Sequence, residues 1–230
     1  MGTPEFAVPS LKKLIEENYE ICGVFTKPDK PQGRKRIITP PPVKVFALEH
    51  GLKVFQPEKL KIQETADLIE SLNPDAIAVV AYGKILPKNI IDMPKYGCIN
   101  VHGSLLPHYR GAAPIQWSII NGDKVTGIST MFMDEGLDTG DILLQTKVSI
   151  NDDETSEELK KRLSVIGAEL LIKTLKELEN GTLERIKQDD SQATLSPPLD
   201  KITGDIDWNK PAQEIHNLVR GSNPWPDRKS

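Results

Sequence analysis

The chain has 230 residues, 38% of them apolar, and a formal net charge of −4. That is enough length and apolar content for one domain with an appendage, and no apolar run approaches the roughly 20 residues needed to cross a bilayer. The acidic balance argues against general affinity for nucleic acid and leaves room for one local basic patch. Two cysteines far apart on apolar stretches, Cys22 and Cys98, and four histidines provide no metal-ligand spacing. No metal site is expected, and both thiols are expected to be reduced and buried in a cytoplasmic protein.

In chain order, residues 4–17 read as an amphipathic helix, with Pro4 near its start and Phe6, Leu11, Leu14 and Ile15 as its apolar stripe. Residues 20–26 read as a strand, residues 27–40 as a polar loop punctuated by proline, and residues 43–50 as a short helix. A short strand over 52–55 and a helix over 63–72 follow. Residues 75–80 form a near-continuous apolar run, the pattern of a strand covered on both faces. Residues 97–102 read as another strand and 112–121 as a helix. This alternation implies a parallel, doubly wound α/β sheet.

The pattern then changes. Residues 126–133 and 142–150 read as adjacent strands joined by a loop that carries Asp138. A long helix is predicted over 156–180: Thr155 and Glu158 form a capping box, Leu159, Leu163, Ile166 and Leu170 make its stripe, and Gly181 stops it. From Gln188 onward the composition loosens, Ser196-Pro197-Pro198 reads as linker, and a small amphipathic helix is predicted over 212–220.

The chemistry-bearing residues gather around one strand end. Asn100 and His102 share a face by the two-residue period of a strand, and Gly103-Ser104 breaks that strand at its carboxyl end, where open α/β sheets place ligands. An imidazole exchanges protons near neutral pH, and a carboxamide N–H steadies an oxygen that gains negative charge. Asp138, in Leu137-Asp138-Thr139-Gly140-Asp141, has the composition of an ordinary turn. Its functional reading is a carboxylate that orients His102 and stabilises the imidazolium. Ser104 lacks a Gly-x-Ser-x-Gly elbow, so a ligand contact suits it better than a nucleophilic role. Lys27, Lys30, Arg34, Lys35 and Arg36 crowd one loop, either as a solvated surface or as a phosphate-contacting arm. Arg110 reads either as a further cation near the site or as half of a salt bridge.

These segments resemble a known family. Gly2-Thr3-Pro4-Glu5-Phe6-Ala7, Asn100-Val101-His102-Gly103-Ser104-Leu105-Leu106-Pro107, Tyr109-Arg110-Gly111-Ala112-Ala113-Pro114-Ile115-Gln116 and Leu137-Asp138-Thr139-Gly140-Asp141 are similar to the methionyl-tRNA formyltransferases. The likeness runs through nearly the whole chain, including Ile206-Asp207-Trp208 and Asn223-Pro224-Trp225-Pro226. The His-Gly-Ser-Leu-Leu-Pro element and the Asp loop are shared by folate-dependent formyltransferases at large. Arg-Gly-Ala-Ala-Pro-Ile-Gln and the basic loop point to the tRNA-directed branch.

The resemblance implies a Rossmann-like, doubly wound, mostly parallel sheet with helices on both faces, followed by a linker and a short helix. Residues 1–184 would form the catalytic domain and 185–230 the linker and the start of a C-terminal domain. It further implies transfer of a formyl group from 10-formyltetrahydrofolate, without a metal, to the amino group of methionyl initiator tRNA, by a monomer in the cytoplasm. The family's catalytic residues fall on Asn100, His102 and Asp138. Its folate contacts fall on Ser104, Leu105, Leu106 and Pro107, with Ala81-Tyr82-Gly83 walling the same cleft, and its tRNA contacts on Arg34, Lys35 and Arg36. The alternatives are a formyltransferase acting on another small amine or a sugar nucleotide, and a folate- or RNA-binding fragment without turnover. Family members also carry an apolar strand ahead of the Gly-Thr-Pro turn and a β-barrel after Asn-Pro-Trp-Pro. Both ends of this sequence therefore read as cut, and the central first strand of the sheet is expected to be missing.

Overall fold

A computed structural model gives the structure of this protein and describes residues 1–33 and 35–226. The opening helix divides into a 3-10 turn at Glu5–Ala7 and α1 (Val8–Glu16), with Pro9 in the first turn of α1, where its missing N–H leaves no helical bond unmade. Then come β1 (Val24–Phe25), β2 (Lys30–Gln32), β3 (Ile37–Thr39), α2 (Pro42–Glu49), β4 (Val54–Phe55), α3 (Gln63–Ser71), β5 (Ile77–Val80), α4 (Lys88–Ile91) and β6 (Cys98–His102). The second half holds β7 (Arg110–Gly111), α5 (Pro114–Ile120), β8 (Val125–Phe132), β9 (Ile142–Ser149), α6 (Ser156–Glu179), β10 (Leu195–Ser196) and α7 (Ala212–Gly221).

The main sheet has the order β5-β6-β8-β9, with β5 parallel to β6 and the last two strands antiparallel. β1 and β4 form a separate parallel pair. Period two divides the side chains of β5 and β6 between two helical layers. Ile99 and Val101 join a core with Leu11 of α1, Ala47 of α2 and Leu163 and Leu171 of α6. Ile77, Val79 and Cys98 pack instead with Ile69 of α3 and Ile90 of α4. The α/β class with helices on both faces is the one that the alternation of elements predicted.

Several local expectations change. The strand expected over 20–26 shrinks to Val24–Phe25, because β4 offers only Val54 and Phe55 as partners. The loop over 27–40 contains an antiparallel hairpin, with Pro31 opposite Ile38. Met1 and Gly2 lie between β1 and β5. Gly2 donates to the Phe25 carbonyl on one side and bridges Val80 on the other.

The long helix follows its sequence signals. Thr155 and Glu158 cap each other's backbone reciprocally, Leu159, Leu163 and Leu170 are buried, and Ile166 packs beside them half-buried. The residues expected to form a loose linker are instead held. Ser196 is fully buried, β10 pairs with the open edge of β7, and the Ser196 hydroxyl donates to the Tyr109 and Arg110 carbonyls. α7 packs on α5, with the buried Arg220 donating to Asn217 Oδ1 and to the Asn151 and Glu154 carbonyls.

Candidate active site

Asn100 and His102 leave the carboxyl end of β6 on the same face as Cys98, a buried thiol pushed up to about 12 by its burial and hence inert. His102 is buried, and its Nε2 lies 2.9 Å from the Tyr109 carbonyl oxygen. A carbonyl only accepts, so this contact puts the ring proton on Nε2 and leaves Nδ1 as the open nitrogen. Nδ1 stands 3.6 Å from Asp138 Oδ2.

The Asp138 carboxylate is set by groups from three segments. Its Oδ2 accepts from the Gly111 N–H at 2.8 Å, and its Oδ1 lies 3.4 Å from Asn100 Nδ2. Asp138 itself has φ +53°, a conformation that aspartate tolerates better than most residues. Gly140 is required on close-approach grounds, since a Cβ there would collide with the Phe132 carbonyl oxygen. Gln188 clamps the loop: Nε2 donates to the carbonyls of Asp138 at 2.8 Å and Gly140 at 2.7 Å. Its Oε1 accepts from Arg110 Nε at 3.0 Å and from a terminal guanidinium nitrogen at 2.8 Å. Arg110 also pairs with Asp190 at 2.8 Å, so of its two readings the salt bridge is the observed one. Asp141 is paired with Arg185 at 2.9 Å and takes no part in the cluster.

The three side chains face a cleft of about 540 Å³, walled by the 81–86 loop, the end of β6, Gly111 and the 136–138 loop. Ala81, Tyr82 and Gly83 lie on that wall. Gly83 has φ +70°, and the Lys27 ammonium occupies the place that a Cβ there would need. Burial, and then the neighbouring Lys30, hold the Lys27 amine below the usual lysine range. Ile85 and Leu137, two large apolar side chains at 80% and 62% exposure, line the same cleft.

The sequence-predicted residues do not all share this space. Ser104 is fully buried and its hydroxyl donates to the His108 carbonyl at 2.6 Å, so it offers no free hydroxyl to a ligand. The Leu106 N–H donates to Ser129 Oγ at 3.1 Å, its carbonyl accepts from Gln145 Nε2 at 2.9 Å, and its side chain packs on Met131 and Ile142. Met131 in turn lines the cleft, so the 104–107 turn stands behind the wall that the other predicted residues face. In the basic hairpin, Lys35 and Arg36 are exposed and pair with no carboxylate among the described residues, whereas Arg34 lies outside the described residues. The base of the hairpin is fixed by Asp29, which accepts from Lys44 at 2.8 Å and from Gln56 at 2.8 Å. Those two bonds, that of Lys44 foremost, hold its carboxyl below the usual carboxylate range.

Sequence reasoning missed the Tyr109 carbonyl, the Gly111 N–H and Gln188. The first two are backbone groups without a side-chain signature. Gln188 had no signal beyond being a polar residue at the start of a loose stretch. Among the described residues no group of His, Cys, Asp and Glu side chains could hold a metal ion.

A family model described as formyl transferase matches residues 1–175, and one described as formyl transferase, C-terminal domain, matches 198–229. The chain is 56% identical to the methionyl-tRNA formyltransferase of Acetivibrio thermocellus, across 98% of this chain and 73% of that protein. It is 58% identical to the methionyl-tRNA formyltransferase of Ruminiclostridium cellulolyticum, across 98% of this chain and 72% of that one. Among solved structures it shares a fold with WlaRD, a sugar 3N-formyl transferase crystallised in the presence of dTDP and 5-N-formyl-THF. The TM-score is 0.72 at 22% identity, over 96% of this chain and 76% of that one. Because the formyl transferase model spans most of its length and more than half of its residues are shared with such relatives, the chain belongs to the methionyl-tRNA formyltransferase family.

Proposed function

We propose that this chain transfers the formyl group of 10-formyltetrahydrofolate to the α-amino group of methionyl initiator tRNA, and so serves translation initiation, with Asn100, His102 and Asp138 as the catalytic residues. The observation that carries this reading is the meeting of amide, imidazole and carboxylate at one strand end, with Asp138 within 3.6 Å of His102 and 3.4 Å of Asn100.

The methionyl amine attacks the formyl carbon, and its lone pair forms the new C–N bond while the carbonyl π electrons move onto oxygen. Asn100 Nδ2, in long contact with Asp138 at 3.4 Å, turns to donate to that oxyanion. His102 Nδ1 takes the proton from the attacking nitrogen and delivers it to N10 of the folate as the C–N10 bond breaks. The Tyr109 carbonyl keeps the ring proton on Nε2 throughout. Asp138 stabilises the imidazolium that forms in between.

The folate ring system has a matching surface in Ile85 and Leu137, whose exposure to water is otherwise unfavourable. The 5-N-formyl-THF recorded with WlaRD supports a folate in this fold's cleft. Ser104, Leu105, Leu106 and Pro107 serve the folate site as the scaffold behind Met131, and Arg34, Lys35 and Arg36 contact the phosphates of the tRNA acceptor end. Residues 1–184 carry the catalysis, residues 185–230 belong to the linker and C-terminal unit, and the protein acts as a monomer in the cytoplasm. Among the described residues no helix is long and apolar enough to cross a membrane.

The deciding experiment follows labelled formyl from 10-formyltetrahydrofolate onto methionyl initiator tRNA, uncharged tRNA and an amino-sugar nucleotide. Transfer to charged initiator tRNA alone is the expected result. Transfer to the amino sugar without tRNA, or calorimetric folate binding with no transfer to any acceptor, would overturn the reading.

A further inference from the structure

The cleft that holds Asn100, His102 and Asp138 runs across the rim of the main sheet, from one helical layer to the other. At one end Tyr82 and Leu86 belong to the core shared with α3 and α4, and the exposed Ile85 stands between them in sequence. At the other end Phe6 and Ile115 belong to the core shared with α1 and α6, and Lys160 of α6 joins the wall. The proposed reaction uses the first end, for the folate, and the middle. It leaves the α6 end without an assigned ligand.

Lys160 is placed by its helix. Its neighbours three and four places away include Ser156, Leu163 and Ser164, all buried, so it stands on the margin of α6 that meets the body of the protein. The residue itself is exposed and forms no ion pair among the described residues; the adjacent Lys161 takes Glu157. The other charged groups on the cleft wall are engaged. Lys84 donates to the Pro57 and Glu58 carbonyls, Asp134 accepts from the Gly136 N–H and the Thr139 hydroxyl, and Asp138 accepts from the Gly111 N–H. Gln116, next to Ile115 on α5, lines the same cleft half-buried, with its carboxamide bonded to no other described residue. The α6 end thus offers one unmatched cation and one unmatched amide on an otherwise apolar wall.

We propose that Lys160, with Gln116 beside it, is the acceptor-side anchor of this cleft and holds the phosphate of the nucleotide that carries the methionyl group. The inference rests on the reaction proposed above for the identity of the acceptor. With the folate against Ile85 and Leu137, the amine reaches the formyl carbon from the other side of Asn100 and His102. The aminoacylated nucleotide then lies toward α6, and its nearest anion is its own phosphate. A lysine ammonium serves a phosphate as a compact point charge on a flexible stem. The carboxamide of Gln116 serves the neutral hydroxyl and carbonyl groups of the same nucleotide.

The test measures calorimetric binding, without folate, of methionine joined through a stable amide to 3′-amino-3′-deoxyadenosine, with and without a 5′-phosphate. The protein is expected to bind the phosphorylated probe at least tenfold more tightly. Lys160→Gln is expected to cut that preference to twofold or less at an unchanged melting midpoint, and Lys160→Arg to keep it. No preference in the unaltered protein, or a preference that survives Lys160→Gln, overturns the proposal. So does a loss of 5-formyltetrahydrofolate affinity in Lys160→Gln that disappears when the folate lacks its glutamate, since the cation would then serve the folate tail. Formyl transfer to the same probes is scored separately. Transfer without a phosphate preference overturns this anchor alone, whereas a Lys160-dependent preference without transfer supports the anchor and counts against the proposed reaction.

Discussion

His102 Nδ1 and Asp138 Oδ2 stand 3.6 Å apart, too far for a hydrogen bond. The spacing follows from Asp138 being held elsewhere, by the Gly111 N–H and by the Gln188 clamp on its loop. The tautomer is set on the opposite side of the ring, by the Tyr109 carbonyl. On the proposed mechanism, orientation and charge stabilisation, which one carboxylate performs in a Ser-His-Asp triad, are divided between two partners.

Asp138→Asn keeps the shape and the acceptor for Gly111 and removes the charge. Turnover is expected to fall on the order of a thousandfold, with folate affinity nearly unchanged. Single-turnover kinetics with calorimetric folate titration checks this; near-normal turnover would take Asp138 out of the mechanism.

Gln188→Leu removes the clamp without touching the substrate cleft. It leaves two loop carbonyls and the Arg110 guanidinium short of a partner, and stability is expected to drop by about 1–3 kcal/mol. A reduced kcat with an unchanged KM for tRNA is expected as well, because the Asp138 position loosens while the acceptor surface stays whole. Stability loss with wild-type kcat would confine Gln188 to a structural role.

Lys35→Ala and Arg36→Ala, made together, test the hairpin. Both side chains are exposed and neither lines the His102 cleft, so folding and folate binding are expected to persist. The KM for tRNA should rise, and the slope of log KM against log salt should shallow by nearly one for each phosphate that is no longer neutralised. An unchanged salt slope would return the hairpin to an ordinary solvated surface.

Thr155→Ala removes half of the capping box of α6. A loss of about 1 kcal/mol is expected from denaturant unfolding, with activity intact.

The elements most legible in the sequence were those whose causes are local. α6 announced itself through Thr155, Glu158 and a leucine stripe, because a helix closes its hydrogen bonds within its own segment. The pairing of Asn100 with His102 was legible for the same reason: a period of two is a property of any strand. β1 was read too long, because a strand exists only where a partner lies beside it, and β4 supplies just two residues. Ser196 was read as linker although its hydroxyl is bonded 86 and 87 residues away, to Arg110 and Tyr109.

By itself the sequence determined the α/β alternation, the face shared by Asn100 and His102, the carboxylate loop and the family to which these segments belong. Tertiary structure alone decided which nitrogen of His102 stays open, that Gln188 holds the Asp138 loop, and that Ser104 turns inward. The division is physical. Periodicity and turn chemistry act between residues a few places apart, whereas a backbone carbonyl, a clamp or a neighbouring strand takes its meaning only from chain brought alongside by folding.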